Sequence, residues 1–287
     1  EIAASFRALK DHLAKMQDVK ACFDAVVRVD KAELDRLSEK SKQLGCKPSI
    51  NGYDPTARVR ASAAKSRKRS AAGHIHLGLP ADMLPHRERL YPILDMLVGN
   101  TCVMIDRDLN AAERRKNYGR AGEYRLPVYG FEYRTLSNFW LQAYPLFHLV
   151  LGLSRLSAGV LNTTLTTKWN AEADLLNRVD LKDIVKAINT NDLELAKKNW
   201  QKVRPFIQEH VPPTPGVFRQ EVGLDSGNLD AFDYFCSKIE TEPEGIKFWF
   251  PEDPMEYWCN LSECHEKGWE VYMEETVKPM MVQEFGF

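Results

Sequence analysis

The sequence predicts an α+β fold, in which a sheet carries functional groups on one face and helices cover the other face. Three segments, 73–78, 118–125 and 129–134, alternate polar with apolar or aromatic side chains, as strands with one buried face do. Residues 86–100 and 137–157 place apolar side chains at helical spacing, and similar patterns fill much of the C-terminal half. One functional sheet, flanking helices and a helical C-terminal part are therefore expected.

The chain before this region is predicted to form short elements. Residues 4–16 are predicted as an amphipathic helix, 24–28 as a short strand and 31–43 as a polar helix. Residues 44–55 contain two glycines and two prolines, which predicts a loop.

Residues 58–69 form the most basic run of the chain, with six arginines and lysines. One interpretation is a solvated, mobile loop, which is typical of charge runs without aromatic partners. The other is a segment that folds over an anionic substrate, since Arg69 precedes His74 by only five residues. A third interpretation, nucleic-acid binding, would predict a steep salt dependence.

The remaining elements follow from periodicity and composition. Residues 86–100 are predicted as a helix, the β-branched run 101–105 as a buried strand, and 137–157 as a core helix. The cluster 113–115 is interpreted as an ion-paired turn. Further helices are predicted at 171–179, 181–190, 192–210 and 229–239.

Composition excludes few classes of function. The 287 residues suffice for one large domain or one and a half. Lys and Arg total 39 against 40 for Asp and Glu, so net charge gives no argument for nucleic acid or membrane binding. The apolar run 146–153 is too short to span a bilayer. Six cysteines without paired ligand spacing predict free, buried thiols in a reducing cytoplasm.

Two histidines, a carboxylate and an arginine dominate the predicted sheet. His74 and His76 would project from one face, about 7 Å apart along the backbone, and Glu132 and Arg134 would do the same on their own strand. Buried charges are costly unless they are paired or bound to a metal. The set therefore indicates a divalent cation beside an anionic substrate.

The motifs that contain these residues resemble those of a known family. They lie within residues 40–160, and the last of them, 129–140, is the most specific. Together they resemble the phage-type carboxylate-amine ligases of type 2, members of the glutamine synthetase and glutamate-cysteine ligase superfamily. The motifs are 44–46, 52–55, 72–78, 113–115, 118–125 and 129–140.

This resemblance implies a fold and an activity. The fold would be a curved, mainly antiparallel sheet of the glutamine synthetase and glutamate-cysteine ligase type, with the site on its concave face. The activity would be ATP-dependent: the γ-phosphoryl group is transferred to a carboxylate, and an amine then attacks the acyl phosphate.

The resemblance also implies roles for the site residues. His74 and Glu132 would hold Mg²⁺ or Mn²⁺, and His76 would contact the nucleotide phosphates. Arg134 would meet the transferred phosphoryl group or the substrate carboxylate. Arg120 and Arg125 would form the phosphate-binding pair, in both nucleotide binding and catalysis. Glu123 would be an ion-pair partner of either arginine or another ligand.

Residues 1–160 are expected to form the ligase-like domain and 161–287 a mainly helical extension. The resembled superfamily carries an earlier strand with metal-binding carboxylates, and this strand is expected to be missing here unless Glu1 is its last remnant. The alternative function is therefore a non-catalytic virion or structural protein that keeps the fold. Expected partners are small-molecule or peptide carboxylates and amines, with self-association or virion proteins open. The expected location is the cytoplasm of an infected host cell, with the virion as the other possibility.

Overall fold

The computed structural model describes residues 2–16, 19, 21–42, 49–56, 67–106, 108–116, 118–210 and 251–267. They form two compact units. One holds the described residues within 1–22, 141–147 and 233–287, and the other holds those within 23–140 and 148–232. The division predicted at residue 160 stays a prediction.

The regular elements of the described part are short strands and helices of varied length. The strands are β1 (Val26–Arg28), β2 (Ile50–Asn51), β3 (Lys68–Ser70), β4 (Ile75–Gly78), β5 (Glu123–Arg125) and β6 (Gly130–Tyr133). The helices are α1 (Ile2–Leu13), α2 (Lys31–Arg36), α3 (Glu39–Lys42), α4 (Leu90–Leu94), α5 (Asn100–Ile105), α6 (Ala111–Arg115), α7 (Tyr144–Thr166), α8 (Ala171–Leu176), α9 (Leu181–Thr190), α10 (Leu193–His210) and α11 (Pro254–Lys267).

The smaller unit contains α1 and α11, which meet through aromatic side chains. Phe6 stacks on Trp258 with 5.4 Å between ring centroids. The indole of Trp258 donates a hydrogen bond to the main-chain carbonyl of Leu141 at 2.7 Å. The predicted helix is confirmed as α1. Of its predicted apolar face, Phe6 contacts Trp258, whereas Leu9 is 41% exposed.

A four-stranded antiparallel sheet in the order β2-β5-β6-β4 lies in the larger unit. A second, two-stranded antiparallel sheet pairs β1 with β3. The predicted antiparallel pairing is confirmed, whereas the specific ligase-type sheet stays a prediction. Segment 118–125 forms a strand only over its last three residues, because Gly119 and Gly122 turn the chain with φ angles of 77° and 74°.

One face of the sheet packs into the core. Phe131 and Tyr133 of β6 are both fully buried, and the ring of Phe131 stacks on that of Tyr124 at 5.1 Å. The hydroxyl of Tyr133 donates to Asp95 at 2.6 Å. Because side chains alternate along a strand, the even-numbered residues of β6 face the opposite way.

The segment behind this core face is helical from residue 84 to residue 105. A 3₁₀ turn precedes α4, and a π-helical turn over Asp95–Gly99 connects α4 to α5. The strand predicted over 101–105 is therefore wrong, although its burial is confirmed. β-Branched residues disfavour helix by only fractions of a kcal/mol each, so burial against neighbouring elements decides the outcome. Thr101 donates to the carbonyl of Leu97, as a helical threonine does.

The later helices agree more closely with the sequence. α8, α9 and α10 confirm the three helices predicted within 171–210. α10 packs against α5 through a buried amide pair, in which Asn199 donates to the side-chain oxygen of Asn100 at 3.0 Å. The core helix predicted over 137–157 begins only at Tyr144, after a 3₁₀ turn at Phe139–Leu141.

Several predictions concern residues outside the described part. The helix predicted over 229–239 and most of the basic run, 58–66, fall there. Among the described residues, no helix combines the length and apolar character needed to cross a bilayer. Cys102 and Cys259 are free, buried thiols, as expected, whereas Cys22 is free but exposed.

Candidate functional site

Strand register brings the predicted site residues together. β6 lies between β5 and β4, and Glu132 is the direct partner of His76 on β4 and of Arg125 on β5. Directly opposed residues on neighbouring antiparallel strands share a face, with their Cβ atoms about 5 Å apart. The three side chains therefore form a row across three strands.

His74 and Arg134, which flank the ends of β4 and β6, join this row. Nδ1 of His74 lies 3.2 Å from Oε1 of Glu132, and Nε of Arg134 lies 3.2 Å from the same oxygen. Nη1 of Arg125 lies 3.6 Å from Oε2. The Glu132 carboxylate thus lies between two guanidinium groups and an imidazole. The alternation of the strands predicted that Arg134 would share the face of Glu132.

Among the described residues, His74, His76 and Glu132 form a group that could hold a metal ion. One ligand atom from each lies within 4.8 Å of the others. Ligands at about 2.1 Å from a shared ion lie about 3–4 Å apart, so small side-chain movements would bring the three atoms to a common ion. Two imidazole nitrogens and one carboxylate oxygen suit Mn²⁺ better than Mg²⁺, which prefers oxygen ligands throughout.

The protonation state of His74 agrees with a ligand role. Burial, together with the positive charges of Arg134 and Arg114, lowers the pKa of His74 to about 3. The ring is therefore neutral near pH 7, so its 3.2 Å contact with Glu132 is not an ion pair. A histidine binds metal only through an unprotonated nitrogen, so little proton competition is expected.

Two tyrosines that the sequence analysis did not single out contact the histidines. The hydroxyl of Tyr118 contacts Nε2 of His74 and accepts a hydrogen bond from Nη2 of Arg134 at 2.5 Å. The hydroxyl of Tyr129 lies 2.6 Å from Nδ1 of His76. Both tyrosines precede a strand within the motif region, yet they lie in turns, where the period of two that located the other residues does not apply.

Arg120 is placed differently from Arg125. Its guanidinium donates from Nε to the carbonyl of Arg115 at 3.0 Å and from Nη2 to that of Lys116 at 2.8 Å, at the end of α6. The described contacts do not bring it to Glu132, and its phosphate-binding role stays a prediction. Glu123, the other residue of this turn, is fully buried and accepts hydrogen bonds from the main-chain N–H groups of Gly119 and Arg120. Burial raises the pKa of Glu123.

The cluster 113–115 differs from the predicted ion-paired turn. These residues form α6, and only Glu113 makes the expected pairs, with Lys68 and Lys116. Arg114 is buried, with 1% of its surface exposed, and it donates to main-chain carbonyls. The turn interpretation is therefore wrong. Arg114 is a buried structural residue, which a charge pattern alone could not distinguish from a surface arginine.

The part of the chain that carries this cluster is similar to a known protein family. The family model described as phage phiEco32-like COOH.NH2 ligase-type 2 matches residues 37–175. No curated protein and no solved structure matches the chain. Each of the five clustered side chains lies inside the matched stretch; they are His74, His76, Arg125, Glu132 and Arg134. Over residues 37–175, just under half of its length, the chain is similar to the phage phiEco32-like COOH.NH2 ligase-type 2 family.

Proposed function

We propose that this chain is an ATP-dependent ligase that joins a carboxylate to an amine through an acyl-phosphate intermediate. The family name supports a ligase acting on COOH and NH2 groups. Joining these groups in water requires a better leaving group than hydroxide, and a phosphoryl group from ATP provides one. Phosphoryl transfer demands positioning and charge neutralisation more than covalent chemistry from the protein.

The observation that carries the proposal is the row of Arg125, Glu132 and His76 across three strands, extended by His74 and Arg134. It combines a carboxylate and two imidazoles with two guanidinium groups on one face of a sheet. Such a face can hold a cation and phosphate oxygens side by side, as the transfer of a γ-phosphoryl group requires.

Different residues of the cluster would bind the cation and the substrate oxygens. His74 and Glu132 would hold the cation, and His76, expected to contact nucleotide phosphates, is near enough to join them. A bound divalent cation would supply neutralisation of the phosphate charge. Arg125 and Arg134 would bind phosphoryl or carboxylate oxygens, for which the planar guanidinium is well suited.

A second candidate is a non-catalytic virion or structural protein. One observation favours it: Glu132 has three protein partners, His74, Arg125 and Arg134. In that case the cluster would be an ion-pair network that stabilises the sheet.

Calorimetric titration with a non-hydrolysable ATP analogue, in the presence of Mn²⁺ or Mg²⁺, tests the proposal. We expect metal-dependent binding to the wild type. Glu132→Ala should weaken it about 100-fold or more, because even outer partners of metal ligands contribute about 10–100-fold. Arg134→Ala should weaken nucleotide binding with less effect on the metal.

Matched controls lie on α10, where Glu194 and Arg204 pair with their helix neighbours Lys197 and Gln208. Glu194→Ala and Arg204→Ala should bind as the wild type does. A folded wild-type chain that binds neither metal nor nucleotide would reject the ligase and support the structural protein.

A further inference from the structure

Tyr118 connects two of the clustered residues, although the ligase proposal assigns it no role. Its hydroxyl contacts Nε2 of His74 and accepts a hydrogen bond from Nη2 of Arg134. Its ring lies beneath two guanidinium groups, with the Cζ atoms of Arg114 and Arg134 4.9 Å and 5.1 Å from the ring centroid. The hydroxyl is therefore held in place by contacts on both the ring and the oxygen.

The hydrogen bonds of Arg134 indicate where the proton of His74 lies. Arginine can only donate, so the oxygen of Tyr118 accepts from Nη2 of Arg134. Nε of Arg134 likewise donates to Nε2 of His74, at 3.5 Å. Nε2 of His74 therefore presents a lone pair, to which the Tyr118 hydroxyl in contact with it can donate.

The opposite side of the same ring gives the complementary assignment. The carboxylate of Glu132 can only accept, and its Oε1 lies 3.2 Å from Nδ1 of His74. The His74 proton is therefore on Nδ1 when no cation is bound. In this state the unprotonated Nε2 of His74 faces the donors Tyr118 and Arg134, and the Nδ1–H faces the acceptor Glu132.

A cation shared by His74 and Glu132 reverses this arrangement. It would contact the ring nitrogen that faces Glu132, which is Nδ1, and that nitrogen must then be unprotonated. One proton leaves Nδ1 to solvent and one is taken up at Nε2, so the imidazole stays neutral. Nε2–H then needs an acceptor, and the Tyr118 oxygen is in contact with it. The Nε–H of Arg134, which can no longer donate to Nε2, has Oε1 of Glu132 at 3.2 Å as its other acceptor.

We propose that Tyr118 is a positioning residue that stabilises both tautomers of His74, and that cation binding moves the His74 proton from Nδ1 to Nε2. This inference rests on the proposed cation site. A tyrosine hydroxyl suits the role because it can donate to Nε2 in one state and accept from it in the other, whereas phenylalanine can do neither.

The second histidine provides an internal comparison. Tyr129 contacts Nδ1 of His76 in a similar way, but Tyr129 is 50% exposed. Water can replace an exposed hydroxyl, so His76 depends less on its tyrosine than the partly buried His74 does on Tyr118.

Nuclear magnetic resonance on ¹⁵N-histidine-labelled protein tests the tautomer directly, at one fixed pH. Long-range ¹H–¹⁵N spectra distinguish the two tautomers, and the His74 signals are assigned by their loss in His74→Gln. With Zn²⁺ as a diamagnetic probe, we expect Nδ1–H without the ion and Nε2–H with it. The same tautomer in both states would overturn the inference, and this experiment needs no variant at position 118.

Mn²⁺ binding, measured by electron paramagnetic resonance, tests the role of Tyr118. We expect Tyr118→Phe to bind Mn²⁺ about 10–100-fold more weakly, as loss of an outer partner of a metal ligand does. Tyr124→Phe is the matched control: it removes a hydroxyl that donates to Glu88, on the core face of the sheet. Equal affinities in the wild type and Tyr118→Phe would overturn the inference.

The two proposals fail in different ways. If the folded wild-type chain binds no Mn²⁺, the cation site and the proposed function are rejected together. If the wild type binds Mn²⁺ through Glu132 while the His74 tautomer stays unchanged, only the role assigned to Tyr118 is rejected.

Discussion

Two buried arginines near the same tyrosine have opposite kinds of partner. Arg114 and Arg134 are 1% and 0% exposed, and both lie over the ring of Tyr118. Arg114 donates to the main-chain carbonyls of Ala71, Thr135 and Leu136 at 2.7–2.8 Å. The partners described for Arg134 are side chains: Glu132, His74 and Tyr118.

This difference distinguishes an arginine held by main-chain groups from an arginine whose partners are side chains. Main-chain carbonyls are fixed by the fold, so Arg114 fastens the chain that enters β4 to the chain that leaves β6. Side chains can rotate, so the partners of Arg134 can rearrange around a ligand. Burial lowers the pKa of Arg114 to about 10, which still leaves it charged near pH 7. The role of a buried arginine is therefore inferred from its partners, because Arg114 and Arg134 are equally buried.

The largest effect is expected from Arg114→Met. It would leave three buried carbonyls without their donor, at about 1 kcal/mol or more each, so the free energy of unfolding should fall by about 3 kcal/mol or more. Arg134→Met should cost less, because Glu132 keeps Arg125 and His74 as partners. Urea unfolding of the two variants measures both losses. Equal losses would erase the distinction between the two arginines.

A smaller effect is expected from Gly119→Ala, which tests the packing around Arg114. Gly119 has a φ of 77°, and a Cβ there would lie 2.0 Å from Nη1 of Arg114. A left-handed conformation costs a non-glycine residue about 1–2 kcal/mol. Displacement of the buried guanidinium adds to this, for a total of about 2 kcal/mol or more.

The control for this substitution is Gly78→Ala at the end of β4. A Cβ on Gly78 would meet nothing within 4 Å, so its stability should stay within about 0.5 kcal/mol of the wild type. Thermal unfolding of both variants gives the comparison. A Gly119→Ala protein as stable as Gly78→Ala would show that Arg114 is not held as tightly as its contacts indicate.

The residues at the centre of the site could be predicted from the sequence because side chains alternate between the two faces of a strand. Alternation assigns side chains to faces, and antiparallel pairing then brings the functional faces of β4 and β6 together. His74, His76, Glu132 and Arg134 were located in this way, and the structure brings them together.

The same argument fails where the chain turns. Arg120 lies between two glycines with positive φ, Gly119 and Gly122, so its direction does not follow from a period of two. The hydroxyls of Tyr118 and Tyr129 were missed for the same reason. Their contacts depend on how the turns fold back on the sheet, which local sequence does not encode.

The fold shows a similar division. Helices α9 and α10 were predicted well, because caps and amphipathic spacing are local signals. Residues 101–105 were assigned to a strand on β-branched composition, which is a weaker signal than burial and the helix that precedes them. The roles of Arg114 and Arg115, buried among main-chain carbonyls and polar side chains, depend on long-range packing.

Asp95 extends the comparison to buried carboxylates, and its expected effect appears as a change with pH. Glu132 faces two guanidinium groups, whereas Asp95 is fully buried and accepts from the Tyr133 hydroxyl. Burial raises the pKa of Asp95 to about 7, in spite of that hydrogen bond. Between pH 4 and 7 the folded protein should therefore hold a proton that the unfolded chain, with an aspartate pKa near 3.8, has lost.

The free energy of unfolding should accordingly fall as pH rises through this window, by up to about 1.4 kcal/mol per pH unit for one proton. Asp95→Asn has the same shape but no titration, so the difference between wild type and variant isolates this contribution. Urea unfolding at pH 5, 6, 7 and 8 should show the wild type losing stability relative to Asp95→Asn up to about pH 7 and levelling off above it. Parallel pH profiles would mean that Asp95 is ionised throughout, and that the core face of β6 tolerates a buried charge as the site face does.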